Sequence, residues 1–236
     1  MTKPLSKLSS PGDWDQKWAE VFDQYQADLR HAYYIRALRR PDEQRLLEIA
    51  AGSFRDMAAL NRMGVECSGA DFSPESVSLA KERFPELAKR MFEMDAFGFD
   101  FPDQAFDLTY HNGFWVLFSD EEIDRLAREQ ARVTRSRMIV TVHNAHNSGF
   151  KAYFDRMVET DSLFNIRFFH KDEIASIMAR HCKRVRVIPV GKAKKGYEDT
   201  LIRLGLGQRL PLKACFALSG QRLLERSERL LCIGEL

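Results

Sequence analysis

Short apolar runs alternate with amphipathic, helix-compatible stretches along most of this chain, and few folds accommodate that rhythm. RLLEIA (45–50) reads as a strand and FRDMAALNRM (54–63) as the helix after it; CSGADF (67–72) is a second strand, followed by SPESVSLAKERF (73–84). Ser73 and Pro74 are the residue types of an N-cap and a first helical position. RMFEMDA (90–96) and AFDLTYH (105–111) are further strands, DEEIDRLAREQARV (120–133) is a charged helix, and RMIVTVH (137–143) is apolar enough to be a strand covered on both faces. DEIASIMARH (172–181), RVRVIPV (184–190) and ERLLCIGEL (228–236) continue the series. The pattern predicts an α/β fold: an open, mainly parallel seven-stranded sheet with helices on both faces.

Two segments stand outside the alternation. WDQKWAEVFDQYQADLRHAYYIRALRR (about 13–40) has apolar and aromatic residues at three- and four-residue spacings and predicts an N-terminal helical arm, ended by Pro41. Its aromatic residues, Trp14, Trp18, Tyr25, Tyr33 and Tyr34, are expected to pack into the core. Residues 192–227 form a predicted helical insertion before the last strand; the stretch 192–229 carries nine Lys/Arg against four Asp/Glu, in a chain whose 36 basic and 34 acidic residues nearly cancel. That stretch is expected to be a solvated amphipathic pair of helices, with a lid over an anionic substrate or a peripheral contact with anionic lipid as functional readings. With 44% apolar content the 236 residues suffice for one domain, 13–236, preceded by a loose polar arm at 1–12 without a signal-peptide core. Cys67, Cys182, Cys215 and Cys232 have no metal-type spacing and predict reduced thiols in the cytoplasm.

Ligands of open α/β sheets bind outside the carboxyl ends of the strands. Those ends carry Glu48, Ala50, Ala51 and Gly52 after the first strand, Asp71 after the second, Asp95 after the third, His111 and Asn112 after the fourth, and His143, Asn144, His146 and Asn147 after the fifth. Asp71 lies nineteen residues beyond Gly52, close to the offset of a ribose-binding carboxylate. The turn lacks the glycines that let a backbone approach a pyrophosphate, so a ligand with a ribose and no phosphate fits better. Asp95 suits an adenine amine, since an ionised carboxylate only accepts hydrogen bonds.

These motifs resemble the class I S-adenosylmethionine-dependent methyltransferases, strongly over about 44–147. Glu48-Ile49-Ala50-Ala51-Gly52-Ser53-Phe54 matches the family's first motif, Asp71 in GADFSPESV its ribose acid, Asp95 in EMDAFGF its adenine-side acid, and FDLTYHNGFWVLF its fourth motif. The resemblance implies a Rossmann-like fold, S-adenosylmethionine as cofactor with S-adenosylhomocysteine as product, and a cofactor site of Glu48, Ala50, Ala51, Gly52, Asp71, Phe72, Asp95, Ala96 and His111. Phe72 is expected to lie against the adenine. Ala50 and Phe54 stand where the family usually has glycine, and Phe54 is expected to narrow the methionine end of the pocket or reshape the turn. The resemblance also implies that the N-terminal arm can fold over the cofactor, with Arg30 or Tyr33 near its carboxylate.

If the acceptor is a hydroxyl, a neutral imidazole suits removal of its proton; His111 and then His143 are the candidate bases. Asn112, Asn144, His146 and Asn147 are placed to orient a polyhydroxylated substrate, and Phe114 and Trp115 to wall the transfer cavity. The expected function is O-methylation of a small molecule such as a sugar, free or phosphorylated, with no metal. HNGFW stands where enzymes of this family that methylate nucleic-acid amines usually carry Pro-Pro and an aromatic residue, so no nucleic-acid partner is expected. A protein that binds the cofactor without catalysis is the reading from another class.

Overall fold

The computed structural model describes residues 11–26, 30–191, 200–205 and 209–236. Seven strands, β1 (Leu46–Ile49), β2 (Cys67–Asp71), β3 (Met91–Glu93), β4 (Phe106–Asn112), β5 (Thr134–His143), β6 (Arg184–Val190) and β7 (Arg229–Glu235), form one sheet in the order β3-β2-β1-β4-β5-β7-β6. The pairings β1–β2, β1–β4, β2–β3 and β4–β5 are parallel, whereas β7 runs antiparallel to both β5 and β6. The chain winds outward from β1 to β3 and then restarts at β4 on the other side of β1. That reversal opens a crevice above the carboxyl ends of β1 and β4, where ligands of such sheets bind.

The helices are α1 (Pro11–Val21), α2 (Arg30–Leu38), α3 (Arg55–Arg62), α4 (Pro74–Arg83), α5 (Asp120–Val133), α6 (Ser148–Met157), α7 (Lys171–Met178) and α8 (Arg209–Ser219). Ser73 caps α4 by accepting from the Ser76 amide at 3.1 Å, and Ser119 with Glu122 forms a reciprocal capping box on α5. Side-chain alternation along β5 divides the core: Ile139 joins the cluster under α2, α3, α4 and α8, while Met138, Val140 and Val142 join the one under α5 and α7.

Some boundaries differ from the sequence pattern for identifiable reasons. Strand β5 begins at Thr134 because α5 runs straight into it, with Thr134 Oγ1 donating to the Gln130 carbonyl at 2.5 Å. The N-terminal arm is two helices, α1 and α2, with a short 3₁₀ turn at Gln24–Gln26 after α1. Helix α6 is invisible to the strand–helix rhythm; Asn147 starts it by accepting from the Phe150 amide at 3.0 Å. In the basic insertion, α8 docks on α2 through Phe216 and Tyr34 (ring centroids 5.5 Å apart) and leaves Leu210 exposed. Residues 1–10, 192–199 and 206–208, on which the polar-arm reading and part of the insertion reading fall, lie outside the described residues. No helix among the described residues is long and apolar enough to cross a membrane.

One buried ion pair fastens the arm to the sheet. Glu43, in the loop after α2, accepts from Arg137 Nε at 2.6 Å and Nη2 at 2.5 Å, and from the Arg40 amide at 2.6 Å; Arg137 also donates to the Leu38 carbonyl at 2.9 Å. Both side chains are buried, so removing one strands the other's charge in the interior. Glu43→Ala is expected to destabilise the protein by about 3–5 kcal/mol, measured by urea unfolding with unchanged m-value.

Candidate active site

The turn between β1 and α3 holds Ala50, Gly52 and Phe54 in the left-handed region, at φ 51°, 53° and 52°. Only glycine adopts that conformation freely; another residue there carries about 1–2 kcal/mol of strain. The backbone therefore keeps a glycine-type turn although two of the three positions have side chains. Phe54 does not narrow the pocket as its size suggested. Its ring turns down into the core and lies against Gly69 on β2, where a Cβ would sit 2.7 Å from the ring.

Carboxylates hold the turn from below. Asp71 Oδ2 accepts from the Gly52 amide at 2.8 Å and Oδ1 from the Ser73 amide at 3.0 Å. Glu48 Oε2 accepts from the Met57 amide at 2.8 Å in the first turn of α3. Burial, with the charge of nearby Asp56 second, pushes the Glu48 carboxyl well above the usual carboxylate range. Ala50→Gly is expected to raise stability by about 1 kcal/mol through relief of the left-handed strain; Phe54→Gly, which also empties a core position, is expected to lower it by about 3–5 kcal/mol. Thermal unfolding of both variants checks the pair.

Above this turn lies a cavity of about 920 Å³. At one end its wall includes Glu48, Ala50, Ala51, Gly52, Asp71, Phe72, Asp95 and Ala96, so the structure brings these sequence-predicted residues together. Asp95 is exposed on its loop, with Oδ1 accepting from the Phe97 amide at 2.9 Å. The arm supplies the roof. The Trp18 indole lies so close on Gly52 that a Cβ there would come within 2.4 Å of the ring, and Tyr25 meets Trp18 edge-on at 5.5 Å. Gln26 donates to the Ser53 carbonyl at 3.0 Å, and Arg55 to the Tyr25 carbonyl at 2.5 Å. Trp18 and Tyr25 are thus cavity wall rather than plain core; Tyr34 is core and Tyr33 packs beside it. The side chains of Trp14 and Arg30 lie outside the described residues.

The other end of the cavity is aromatic. Asn112, Gly113 and Phe114 at the end of β4 and His143 at the end of β5 reach it, together with Phe118, Phe154 and Phe164. His143 is packed against Phe150 (stacked, 5.8 Å), Phe154 (5.1 Å) and Phe168 (5.3 Å). Burial and then the neighbouring Arg229 guanidinium push its pKa well below the ordinary histidine value, so the ring is neutral near pH 7. Arg229 is the first residue of β7 and pairs in register with His143; its guanidinium touches the imidazole and lies on the cavity wall. The sequence reading missed Arg229 because it searched only strand C-termini, and β7, being antiparallel, brings its N-terminus to this rim. It missed the α6 aromatics too, although the i, i+4 pair Phe150 and Phe154 was a usable signal.

Several predicted residues do not reach the cavity. His111 is sealed beneath Phe114 and Trp115 (ring centroids 5.7 and 5.0 Å away), and burial, then the charge of His31, lowers its pKa to about 3. A base or cofactor contact needs access that this ring lacks. Trp115 is buried behind the cavity wall. Asn144 is fully buried and donates to the Leu224 and Ser227 carbonyls at 2.6 and 2.8 Å. His146 Nε2 accepts from the Lys171 amide at 3.1 Å, and Asn147 caps α6. These three side chains fasten loops and are not aimed at a substrate. Among the described residues no three His, Cys, Asp or Glu side chains converge as a metal site would require.

Residues 46–137 match the family model described as a methyltransferase domain. Over this stretch the chain is similar to methyltransferase domains. A curated relative, a phosphatidylethanolamine N-methyltransferase of Cereibacter sphaeroides, is 30% identical over 111 residues, covering 44% of this chain and 53% of its own. The chain thus spans about half the length of that relative. The methyltransferase solved with a Haloferax volcanii methyltransferase activator superposes with a TM-score of 0.62 at 17% identity, covering 98% of this chain and 99% of that one. A geranyl diphosphate C-methyltransferase of Streptomyces coelicolor, solved with Mg²⁺, geranyl diphosphate and S-adenosylhomocysteine, gives 0.55 at 13% identity over 98% and 85% of the two chains. At such identities these two structures speak for the fold alone.

Proposed function

We propose that this protein transfers a methyl group from S-adenosylmethionine to a small-molecule acceptor lodged at the ends of β4, β5 and β7. The observation that carries the reading is the single cavity joining the acidic rim to the aromatic chamber. The Gly52 and Ser73 amides hold the Asp71 carboxylate at the cavity wall, where an ionised carboxylate can accept from a ribose hydroxyl. Asp95 is placed for the adenine amine, Phe72 for the adenine face, and the Gly52 turn under Trp18 for the methionine end. The cofactor supplies an electrophilic sulfonium methyl. The chain's part is alignment, which can provide most of the rate of an in-line displacement. The preserved left-handed turn also favours binding over the reading of a degenerate motif.

The chamber supports an acceptor with an apolar body in preference to a sugar. Its walls include Phe114, Phe118, Phe154, Phe164, Val116, Leu117, Leu163 and Ile166, and Asn144, His146 and Asn147 are engaged in the scaffold. The name of the Cereibacter relative raises an amine acceptor as a second reading. Against it, an alkylammonium entering beside Arg229 meets a like charge.

Calorimetry with S-adenosylhomocysteine is expected to show binding, and with a nicotinamide dinucleotide none; the reverse result overturns the reading. Asp95→Ala is expected to weaken S-adenosylhomocysteine binding by about 0.5–1.5 kcal/mol or more. Its exposure predicts an unchanged melting temperature, so lost affinity in that variant is a loss of contact and not of fold.

A further inference from the structure

We infer that residues 148–166 are a hinged flap over the aromatic end of the cavity, and that the Lys17–Asp161 pair is the latch that closes this flap against the N-terminal arm. The flap rests on the reading of the cavity as a ligand site and supplies its way in.

The segment leaves the domain and returns to it at one place. The Ala145 amide donates to the Phe169 carbonyl at 2.9 Å and the Phe169 amide to the His143 carbonyl at 2.9 Å, so the two feet of the excursion are bonded to each other. Further bonds pin the same feet: Asn147 Nδ2 donates to the Ser227 carbonyl at 3.4 Å, and the Arg167 amide to the Val116 carbonyl at 2.8 Å. Between the feet the main chain bonds within itself. Among the described residues, no backbone–backbone hydrogen bond joins 148–166 to anything beyond Asn147. Helix α6 has no buried residue. Rings hold it down: Phe150 and Phe154 rest on His143 and on Phe168, and Phe154 meets Phe164 at 5.0 Å. A segment with few buried apolar groups and self-contained backbone bonds opens at a lower free energy than a central sheet. Lifting this one separates rings and breaks no strand ladder.

A polar contact crosses the mouth. Lys17 Nζ on α1 lies 3.7 Å from Asp161 Oδ2, and both residues are on the cavity wall. The turn after α6 presents the carboxylate, since Asp161 Oδ1 accepts from the Leu163 amide at 2.9 Å. Trp18, the next residue of the arm, lies on Gly52, so a closed latch joins the flap, the arm and the β1–α3 turn. Lys17 has a second carboxylate within reach, Glu20 at 3.8 Å on its own helix. The ammonium falls back on Glu20 when the flap lifts, and opening leaves no bare cation. Partly exposed ion pairs shift an equilibrium by about two- to five-fold. A latch of that size favours the closed mouth and still lets it open often.

Hydrogen exchange on the full chain, read by mass spectrometry, tests both parts. In the free protein, peptides within 148–166 are expected to exchange faster than those of α5 and α7. Lys17→Met, and Asp161→Asn, which keeps an acceptor for the Leu163 amide, are each expected to speed exchange of the flap by about two- to five-fold. Exchange of α5 and α7 should not change, which separates an opened latch from a lost fold. The double variant is expected to match the singles, because the two residues act as one contact, and Lys17→Arg to behave as the parent. High salt is expected to speed the flap in the parent and not in the variants. Dissociation of S-adenosylhomocysteine is expected to quicken in the variants by a similar factor. A flap that exchanges as slowly as α5 and α7 overturns the inference, and additive effects of the two single variants overturn the latch. Unchanged dissociation from variants whose flap exchanges faster shows that the flap does not gate the mouth. If S-adenosylhomocysteine does not bind, the methyltransferase reading falls, and exchange in the free protein still decides flap and latch.

Discussion

The site depends on one short hydrogen bond, from the Gly52 amide to Asp71. It ties the end of β2 to the turn after β1, and with Glu48 bonded to the start of α3 it fixes a backbone that two of its own residues resist. Left-handed alanine and phenylalanine persist only where surrounding contacts over-determine them. Here those contacts are the carboxylates, the Phe54 ring in the core and the Trp18 indole on the glycine.

The two halves of the cavity are built differently. The end at β1 and β2 is backbone and carboxylate at strand ends, anchored by a parallel sheet and the buried Glu43–Arg137 pair. The other end is side chains, among them Phe114, Phe118, Phe154 and Phe164, contributed by a loop, by α6 and by the segment after it. A rigid half that recognises a constant ligand and a variable half that recognises a changing one is how a single fold comes to serve many acceptors.

That division also explains what the sequence made legible. The sheet, its helices and the cofactor-side acids were readable because each is written locally, as apolar periodicity followed by a polar residue at a strand end. Asp71 and Asp95, placed by their register, both line the cavity. The acceptor side was not local. His111 looked equivalent to His143, yet β4 presents its last two residues to opposite faces, so Asn112 reaches the cavity and His111 faces the core. Asn144 and His146 looked like substrate ligands because nothing in a sequence shows that a carbonyl eighty residues on, at Leu224, already holds the former. Arg229 was hidden by direction: period and composition do not say which way a strand runs.

The reversal of β7 also governs how such a chain can be assembled. β7 lies between β5 and β6, both of which precede it in the chain, and among the described residues β6 pairs with no other strand. A chain emerging from the ribosome therefore has β5 with one unpaired edge and β6 with none of its ladder until β7 slides between them. Contacts of such long sequence separation form late, and open strand edges in the interval invite pairing with other chains. Arg229, on the cavity wall, arrives with that final strand. The cavity is thus complete only when the sheet closes, and a partly folded chain with the β1 and β2 end of the cavity already formed lacks its Arg229 wall.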